Sequence, residues 1–233
     1  MAKPVCAIVG VGPGNGAAFG RKFSAEGFKT AFLARNETYL KDLSDEIADA
    51  YPYAYDVTDT DSTKGVFDNI EQDLGPIDVM VYNAGSGVFG SIDDISLTDF
   101  ENAWRTNALG CLAACQQVVP SMRRRQNGAI VVIGATAAVK NSARFTAFTS
   151  AKTAQRALAQ SMARHLGPDG IHVSYVIIDG MIDLKRTREN MPDKPDEFFL
   201  NPDDIAQSVF FLTQQKRSAW TFELDLRPFG EKW

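Results

Sequence analysis

The sequence of 233 residues predicts an α/β fold, with one doubly wound parallel sheet of about seven strands and helices on both faces. Three observations lead to this prediction. Short apolar runs alternate with longer amphipathic stretches along the whole chain. A glycine-rich segment joins the first apolar run to the first amphipathic stretch. The run 129–133 is apolar throughout, as expected of a strand buried on both faces of a parallel sheet.

The predicted elements alternate in chain order, each strand being a short apolar run and each helix an amphipathic stretch. The strands are predicted at residues 5–9, 30–34, 53–55, 77–81, 129–133, 172–178 and 220–226. The helices are predicted at residues 14–26, 37–50, 62–74, 100–124 and 149–166. The last strand is expected to be buried. Because crossovers between parallel strands are right-handed, this order places helices on both faces of the sheet.

Length, composition and charge restrict the classes of function. Residues 1–233 are expected to form a single domain, since α/β domains of this size commonly have one core. The net charge of −5 opposes binding to nucleic acid and to anionic membranes, and no apolar run approaches the roughly 20 residues that span a bilayer. The first ten residues suit a buried strand better than a signal peptide. We therefore expect neither a nucleic-acid partner nor a membrane partner.

The three cysteines are too few, and odd in number, for a disulfide framework, which favours a reducing cytoplasm. Cys111 and Cys115 lie one helical turn apart, a spacing that also suits a pair of metal ligands. No histidine or carboxylate cluster accompanies them in the sequence. We therefore expect small packing residues rather than a metal site.

The segment 183–201 interrupts the alternation after the sixth predicted strand. It is charged and contains Pro192 and Pro195. Ligands of doubly wound sheets bind beyond the carboxyl ends of the strands, so a segment in this place is predicted to be a substrate lid. A tolerated surface loop is the alternative interpretation.

The glycine-rich segment between the first strand and the first helix predicts a phosphate site. Glycine allows the tight turn and lets the backbone approach a phosphate closely, and the helix N-terminus favours its negative charge. The residues expected to form this site are Gly10, Gly12, Gly14, Asn15 and Gly16.

The spacing Gly10-x-x-x-Gly14-x-Gly16 resembles the nucleotide loop of the short-chain dehydrogenase/reductase family. Four further motifs follow in the family's order. They are Asp56-Val57 after the third strand, Asn83-Ala84-Gly85 after the fourth, Asn107 in the next helix and Lys152. The chain is therefore identified as a divergent member of this family. The resemblance implies a Rossmann fold, nucleotide binding, oxidoreductase activity on a small molecule, and a homodimer or homotetramer assembled through helices 100–124 and 149–166 and the last strand.

The end of the second strand indicates which cofactor is preferred. Ala34 stands where NAD-preferring relatives carry an acidic residue, and Arg35 follows directly, as in NADP-preferring relatives. A guanidinium group binds a 2′-phosphate well. We therefore expect NADP rather than NAD, the alternative being that Arg35 is an ordinary surface arginine.

The catalytic residues implied by the resemblance are only partly present. In the family a tyrosine transfers the substrate proton, a serine orients the substrate oxygen, and a lysine and an asparagine support them. Asn107 and Lys152 match, although Lys152 also fits a helix-surface lysine. Phe148 stands at the tyrosine position and Ala135 at the serine position, and a phenyl ring has no ionisable proton. Thr136 could supply a hydroxyl group if the turn shifts by one residue.

Other positions of the resemblance leave the proton donor open. Some relatives carry a tyrosine seven residues before the lysine, and that position is Phe145 here. Gly180 and Ile182 are expected to hold the nicotinamide amide after the sixth strand, where the family's proline is missing. Asp179 and Asp183 lie near the same strand end and could protonate carbon in a conjugate reduction.

Two functions remain open from the sequence. The first is an NADP-dependent oxidoreductase that acts on a small carbonyl, enone or alcohol without the usual tyrosine and serine. The second is a catalytically inactive nucleotide-binding regulator or redox sensor, which the missing hydroxyl groups at positions 135 and 148 favour.

Overall fold

The computed structural model describes residues 2–231, and its centre is a seven-stranded sheet in which every neighbouring pair of strands is parallel. The order across the sheet is β3-β2-β1-β4-β5-β6-β9. These strands are β1 Val5–Val9, β2 Lys29–Ala34, β3 Ala50–Ala54, β4 Ile77–Tyr82, β5 Gly128–Ile133, β6 Ile171–Ile178 and β9 Glu223–Leu226. A separate pair is formed by β7, Met181–Ile182, and β8, Phe199–Leu200. The predicted doubly wound sheet is confirmed.

Helices cover both faces of the sheet. They are α1 Asn15–Ala25, α2 Glu37–Glu46, α3 Thr63–Leu74, α4 Leu97–Trp104, α5 Gly110–Arg125, α6 Thr146–Leu166, α7 Lys185–Asn190 and α8 Pro202–Thr213. One core contains buried side chains of α3, α5 and α6, such as Ile70 and Val118. The other contains those of α1, α2 and α8, such as Phe23 and Val209. Because side chains alternate along each strand, the central strands contribute to both cores.

The third strand begins earlier than predicted, at Ala50 instead of residue 53, and the second helix ends at Glu46 instead of residue 50. Pairing with β2 decides this boundary, since Thr30 lies opposite Ala50 and Ala34 opposite Ala54. Pro52 is tolerated within the strand because β3 is at the edge of the sheet and need not donate a hydrogen bond on its free side.

The helix predicted at 100–124 is two helices, α4 and α5, joined by the π-helical turn Arg105–Leu109. The side-chain amide of Asn107 explains the turn, because its Nδ2 donates to the carbonyl of Ala103 at 2.8 Å. That carbonyl would otherwise accept from the backbone N–H of residue 107. The other predicted long helix, 149–166, begins at Thr146, one turn earlier than expected.

The C-terminal strand was predicted as buried over 220–226, and this prediction is wrong in length and in burial. The strand is Glu223–Leu226, its one partner among the described strands is β6, and its side chains are exposed or half-buried. An edge strand has one neighbour, so its apolar residues lose less contact with water than those of a central strand. Trp220 instead stacks on the ring of His172, with ring centroids 4.8 Å apart.

Residues 183–201 are folded rather than irregular, since they contain α7 and β8. Arg188 holds them together. Its guanidinium donates to both carboxylate oxygens of Asp183 at 2.7 Å and to Asp196 at 2.6 Å, and it lies 4.1 Å from the ring centroid of Phe199. Among residues 2–231, no helix has the length and apolarity needed to cross a membrane.

Candidate nucleotide and catalytic site

A groove of about 330 Å³ lies at the carboxyl ends of β1, β2, β3 and β4. It brings together residues that the sequence analysis singled out in four separate places. They are Gly10, Gly12, Arg35, Asp56, Val57, Asn83, Ala84 and Gly85. The groove lies where the strand order turns from β1 towards β4, which is the place where doubly wound sheets bind their ligands.

The loop after β1 has a backbone that only glycine allows. Gly10 has a φ of +89°, and a Cβ atom there would collide with the backbone of Ala84. Asn83 fixes the same contact, because its Nδ2 donates to the carbonyl of Gly10 at 2.8 Å. A Cβ atom at Gly16 would lie only 2.6 Å from Cα of Val11. The loops after β1 and β4 are therefore packed backbone against backbone, and the first helix begins directly on them.

Segment 183–201 reaches this loop through Leu184. The Leu184 side chain packs on Gly14 so closely that a Cβ atom at Gly14 would overlap it. Gly14 is the N-cap of α1, and Asn15 follows as its first residue, with a buried Oδ1 that has no hydrogen-bond partner among the described residues. A buried acceptor of this kind calls for a donor from a ligand or from water.

At the ends of β2 and β3, the groove is lined by one negative and one positive side chain, Asp56 and Arg35. Asp56 accepts hydrogen bonds from the backbone N–H of Thr58 at 2.9 Å and from its hydroxyl at 2.8 Å. Burial raises the pKa of Asp56, but these two hydrogen bonds and the charge of Arg35 outweigh it, so the net pKa is lowered. Arg35 is exposed at the end of β2, and within residues 2–231 no carboxylate oxygen lies within 4.0 Å of its guanidinium.

Lys152 lies inside the protein, with 4% of its surface exposed. Its Nζ donates to the carbonyl of Ile133 at 2.9 Å and to Oε1 of Gln155 at 3.0 Å. Both acceptors are neutral, and burial lowers the pKa of Lys152 to about 8. Lys152 is therefore not the helix-surface lysine that the sequence left as an alternative.

Gln155 joins Lys152 to Asn107. It is completely buried, and its Nε2 donates to the backbone carbonyl of Asn107 at 2.9 Å. Sequence analysis missed this residue, although its position three residues after Lys152 places both side chains on the same side of α6. A side-chain amide thus occupies the space between the ammonium group and the carbonyl oxygen.

Lys152 and Asn107 both face Gly85 at the base of the groove. A methyl group at Gly85 would lie 3.6 Å from Nζ of Lys152 and 3.4 Å from Oδ1 of Asn107. The Asn107 amide nitrogen donates to the carbonyls of Ala103 and Ser86, but its Oδ1 is buried and has no hydrogen-bond partner within residues 2–231. The donor Nζ of Lys152 and the acceptor Oδ1 of Asn107 therefore both lie next to Gly85.

Phe148 lies on α6 one turn before Lys152. Its half-buried ring makes edge contacts with Phe89 and Phe145, at centroid distances of 5.8 and 6.3 Å. The hydroxyl of the next residue, Thr149, is buried and has no hydrogen-bond partner in the part of the chain that the structure describes. The phenyl ring of Phe148 has no ionisable proton that it could donate to a substrate.

Ala135 follows β5 in an extended conformation, and Thr136 begins a short 3₁₀ turn, Thr136–Ala138. The Thr136 hydroxyl makes a long hydrogen bond, 3.4 Å, to the carbonyl of Ile178. Its oxygen is therefore directed to the end of β6.

Gly180 and Ile182 lie just after β6, where Gly180 packs on Pro228 and Ile182 pairs with Leu200. Asp183 is fully engaged by Arg188, whose hydrogen bonds lower the pKa of this carboxyl group. Asp183 is thus ionised at neutral pH, which disfavours it as the proton donor for a conjugate reduction.

The cysteines behave as packing residues. Cys6, Cys111 and Cys115 are buried free thiols, and the described part of the chain contains no group of three His, Cys, Asp or Glu side chains arranged for a metal ion.

The groove fits a dinucleotide. Gly12 of its glycine loop borders open space that a side chain would occupy, its first helix begins just after that loop, and its base presents an ammonium group and an amide oxygen without a partner among the described residues. Such donors and acceptors suit the phosphates, the ribose hydroxyls and the amide of a nicotinamide nucleotide.

Comparison with known proteins identifies the family. The sequence model of the family described as short chain dehydrogenase matches residues 4–195. An uncharacterized oxidoreductase of Staphylococcus aureus strain N315 is 24% identical over 226 residues, which cover 96% of each protein. A short chain dehydrogenase of Pseudocercospora fijiensis is 30% identical over 183 residues, which cover 76% of this chain and 59% of that protein.

Solved structures agree with this assignment. A short-chain dehydrogenase from Rhodopseudomonas palustris is 30% identical, with a TM-score of 0.84 over 97% of this chain and 99% of that one. At 24% identity, an alcohol dehydrogenase from Thermococcus sibiricus complexed with 5-hydroxy-NADP has a TM-score of 0.89, covering 99% of this chain and 98% of that one. A metagenomic short-chain oxidoreductase in complex with NADP, also 24% identical, has a TM-score of 0.86 and covers 99% of both chains. The protein belongs to the short chain dehydrogenase family and is an NAD(P)-dependent oxidoreductase of that type.

Proposed function

We propose that this oxidoreductase uses NADP and acts on a small carbonyl, enone or alcohol, with Phe148 and Ala135 standing at the positions of the family's tyrosine and serine. One observation carries the proposal: the glycine loop and the Lys152–Asn107 pair meet around one groove, beside a side chain at position 148 that cannot ionise. The binding residues of an oxidoreductase are therefore retained, while the proton is supplied differently.

The preference for NADP rests on Arg35. Its guanidinium lies in the groove at the end of β2, is exposed, and follows Ala34, which offers no carboxylate to a ribose hydroxyl. A 2′-phosphate gains charge-assisted hydrogen bonds from a guanidinium group. The proteins whose solved complexes contain NADP or a derivative of it share this fold.

Lys152, Asn107 and Thr136 each have a proposed role in binding or in proton transfer. The bound nicotinamide supplies or accepts the hydride. Lys152 holds the nicotinamide ribose, and Asn107 accepts a hydrogen bond through its unpaired Oδ1. Thr136 provides a hydroxyl group to the substrate oxygen after a shift of the turn. Without a tyrosine, we expect a rate lower by about 10²–10⁴ than that of an enzyme with a positioned general acid.

Segment 183–201 is proposed to be the lid of the site. Leu184 covers Gly14 at the start of α1, and Gly180 and Ile182 connect the segment to the end of β6. The Arg188 ion pairs keep it folded as a unit. The contact of Leu184 with Gly14 at the start of α1 favours a lid over a tolerated surface loop.

The quaternary structure and the compartment are also proposed. A homodimer or homotetramer formed through helices α4 to α6 and the C-terminal strand β9 is consistent with the exposed Trp104 on α4. A reducing cytoplasm is consistent with three buried free thiols among residues 2–231.

The function is tested by restoring both hydroxyl groups. The double variant Ala135→Ser with Phe148→Tyr is assayed with NADPH against a panel of ketones, aldehydes and enones. We expect carbonyl reduction to rise by roughly 10²-fold or more, since a positioned general acid typically contributes that factor. The control Ala135→Ser with Phe211→Tyr, which adds the phenol on the far helix α8, should show no rise.

Calorimetric titration of the wild type with NADPH and NADH tests the cofactor. Binding of NADPH at least tenfold tighter than NADH is expected, and Arg35→Ala should remove the difference, because a hydrogen bond to a charged group contributes about 1.5–3 kcal/mol. Failure to bind either nucleotide would refute the proposed function.

A second role, a nucleotide-dependent regulator or redox sensor with little or no turnover, is favoured by one specific observation. The amide of Gln155 fills the space between Lys152 and the carbonyl of Asn107, and an amide does not relay a proton readily. Tight NADPH binding without oxidation of NADPH by any compound of the panel would support this role. Measurable turnover by the wild-type protein would contradict it.

A further inference from the structure

Three phenylalanine rings form a cluster at the edge of the candidate site. Phe89 lies 5.1 Å from Phe145 and 5.8 Å from Phe148, measured between ring centroids, and Phe145 lies 6.3 Å from Phe148. Phe145 and Phe148 are half-buried, but Phe89 is 61% exposed. The cluster is therefore an apolar surface open to solvent, and it is separate from the two cores of the sheet.

The backbone holds this cluster in place. The N–H of Gly90 donates to the carbonyl of Arg144 at 2.8 Å, and Gly90 pairs with Phe145 as a β-bridge. At the other end of the same loop, the carbonyl of Ser86 accepts from Asn107 at 3.2 Å. The loop that carries Phe89 is thus hydrogen-bonded to the start of α6 and to the π-helical turn. These bonds fix the backbone position from which the Phe89 ring extends.

The rings lie beside the base of the groove. A methyl group added at Gly87 would lie 3.2 Å from the Phe89 ring, so this ring folds back onto its own loop at Gly87, two residues after Gly85. Gly85 is the residue that Lys152 and Asn107 face. Phe148 is on the helical turn before Lys152, and an i, i+4 pair shares one side of a helix.

The two edge-to-face contacts of Phe148 and the tilted contact between Phe89 and Phe145 leave ring faces and edges available to another aromatic group. Aromatic rings prefer such offset or perpendicular partners, and they gain more from another ring than from a saturated group of equal size. The three rings are apolar, and among the described residues no cation–π contact involves them. A polar or charged group of a substrate would therefore gain little from the rings themselves.

We propose that Phe89, Phe145 and Phe148 form an aromatic subsite, and that the substrate is a carbonyl or enone compound bearing an aromatic ring beside the reacting group. The inference rests on the proposed function only for the reacting group. The ring would lie on the three phenylalanines while its carbonyl points to the base of the groove at Gly85.

Binding to the protein loaded with NADP⁺ tests the subsite without turnover, because the oxidised cofactor cannot reduce a ketone. The probes are acetophenone and cyclohexyl methyl ketone, which share their carbon skeleton and differ in aromaticity. We expect acetophenone to bind at least fivefold tighter. Phe89→Ala and Phe145→Ala should each reduce this preference by about two- to tenfold, the range of one aromatic contact.

Phe211→Ala is the matched control, since Phe211 is 59% exposed on α8, on the opposite face of the sheet. It should leave the preference unchanged. Equal affinity of the wild type for the two ketones would overturn the inference. So would a change of oligomeric state in Phe89→Ala with an unchanged preference, because the cluster would then be covered by a second copy of the chain.

The same titrations separate this inference from the proposed function. If NADP⁺ fails to bind while the cofactor-free protein still prefers acetophenone, the proposed function is wrong and the aromatic subsite stands. If NADP⁺ binds and the preference is missing, the subsite is wrong and the cofactor assignment stands.

Discussion

Lys152 is an ammonium group surrounded by neutral oxygen atoms. The carbonyl of Ile133 and the amide of Gln155 accept two hydrogen bonds from it, and no carboxylate of residues 2–231 forms an ion pair that would offset the cost of burying its charge. Burial therefore lowers the pKa of Lys152 from its ordinary 10.5 to about 8. A lysine with such a pKa changes its charge close to physiological pH.

The lowered pKa predicts a pH dependence of stability. Between pH 8 and 10.5 the unfolded chain keeps the Lys152 proton while the folded protein loses it, so the stability contributed by this residue rises with pH. Compared with Lys152→Met, the wild type should gain on the order of 2 kcal/mol from pH 7.5 to pH 10. Urea unfolding of both proteins measures the gain. A difference independent of pH would contradict it.

Gln155 is expected to stabilise the protein through two hydrogen bonds. Gln155→Leu leaves Nζ of Lys152 without one acceptor and the carbonyl of Asn107 without its donor, which should cost about 1–3 kcal/mol in the free energy of unfolding. Gln160→Leu, on the same helix and half-buried, is the control and should change stability by less than about 0.5 kcal/mol. Equal unfolding midpoints for the two variants would refute this role of Gln155.

At the scale of elements, the folded state of segment 183–201 depends on Arg188. Arg188 is the residue through which Asp183, Asp196 and the ring of Phe199 are connected. The pKa of Asp183 is lowered by this contact, so the pair persists until the pH falls into the acidic range. The segment should therefore open as a unit when the arginine is lost.

Arg188→Met is predicted to increase amide hydrogen exchange across 183–201 by roughly tenfold and to weaken NADPH binding, since hydrogen bonds to charged groups contribute about 1.5–3 kcal/mol. Arg186→Met changes the neighbouring exposed arginine of α7 and should alter neither property. Exchange that rises equally in both variants would mean that Arg188 does not hold the segment.

Helix α4 carries the exposed side chain that bears most directly on assembly. Trp104 is 40% exposed, and large aromatic residues dominate the energy of protein interfaces. Trp104→Lys should weaken self-association by at least about tenfold in sedimentation equilibrium. Phe211→Lys on α8 is the control and should sediment like the wild type. A monomeric wild type would contradict the proposed homodimer or homotetramer.

At the scale of the whole molecule, the strand order determines where the candidate nucleotide and catalytic site lies. The order β3-β2-β1-β4 places the loops after four strands around one groove, although they come from separate parts of the chain. β5 and α6 then bring Ile133 and Lys152 to its base. The helices on both faces keep the strands buried, so these loops rest on a rigid support.

Most elements could be predicted because their signals are local. Apolar periodicity placed β1, β4 and α3 to within one residue. Helix α8 was missed although Asn201, Pro202 and the acidic first turn mark its start. The π-helical turn and the edge position of β9 could not be predicted, because they depend on the Asn107 side chain and on which strands become neighbours.

The sequence by itself determined the fold class, the family and the glycine loop, because each is recognised from short motifs or apolar runs whose own residues are close together in the chain. Only the tertiary structure decided what surrounds them. Gln155 meets Asn107 across 48 positions, Leu184 covers Gly14, and Phe89 joins Phe145 and Phe148. These contacts follow from the parallel sheet, which brings the carboxyl ends of distant strands to one edge. The spacing of residues along the chain does not show which of them become neighbours there.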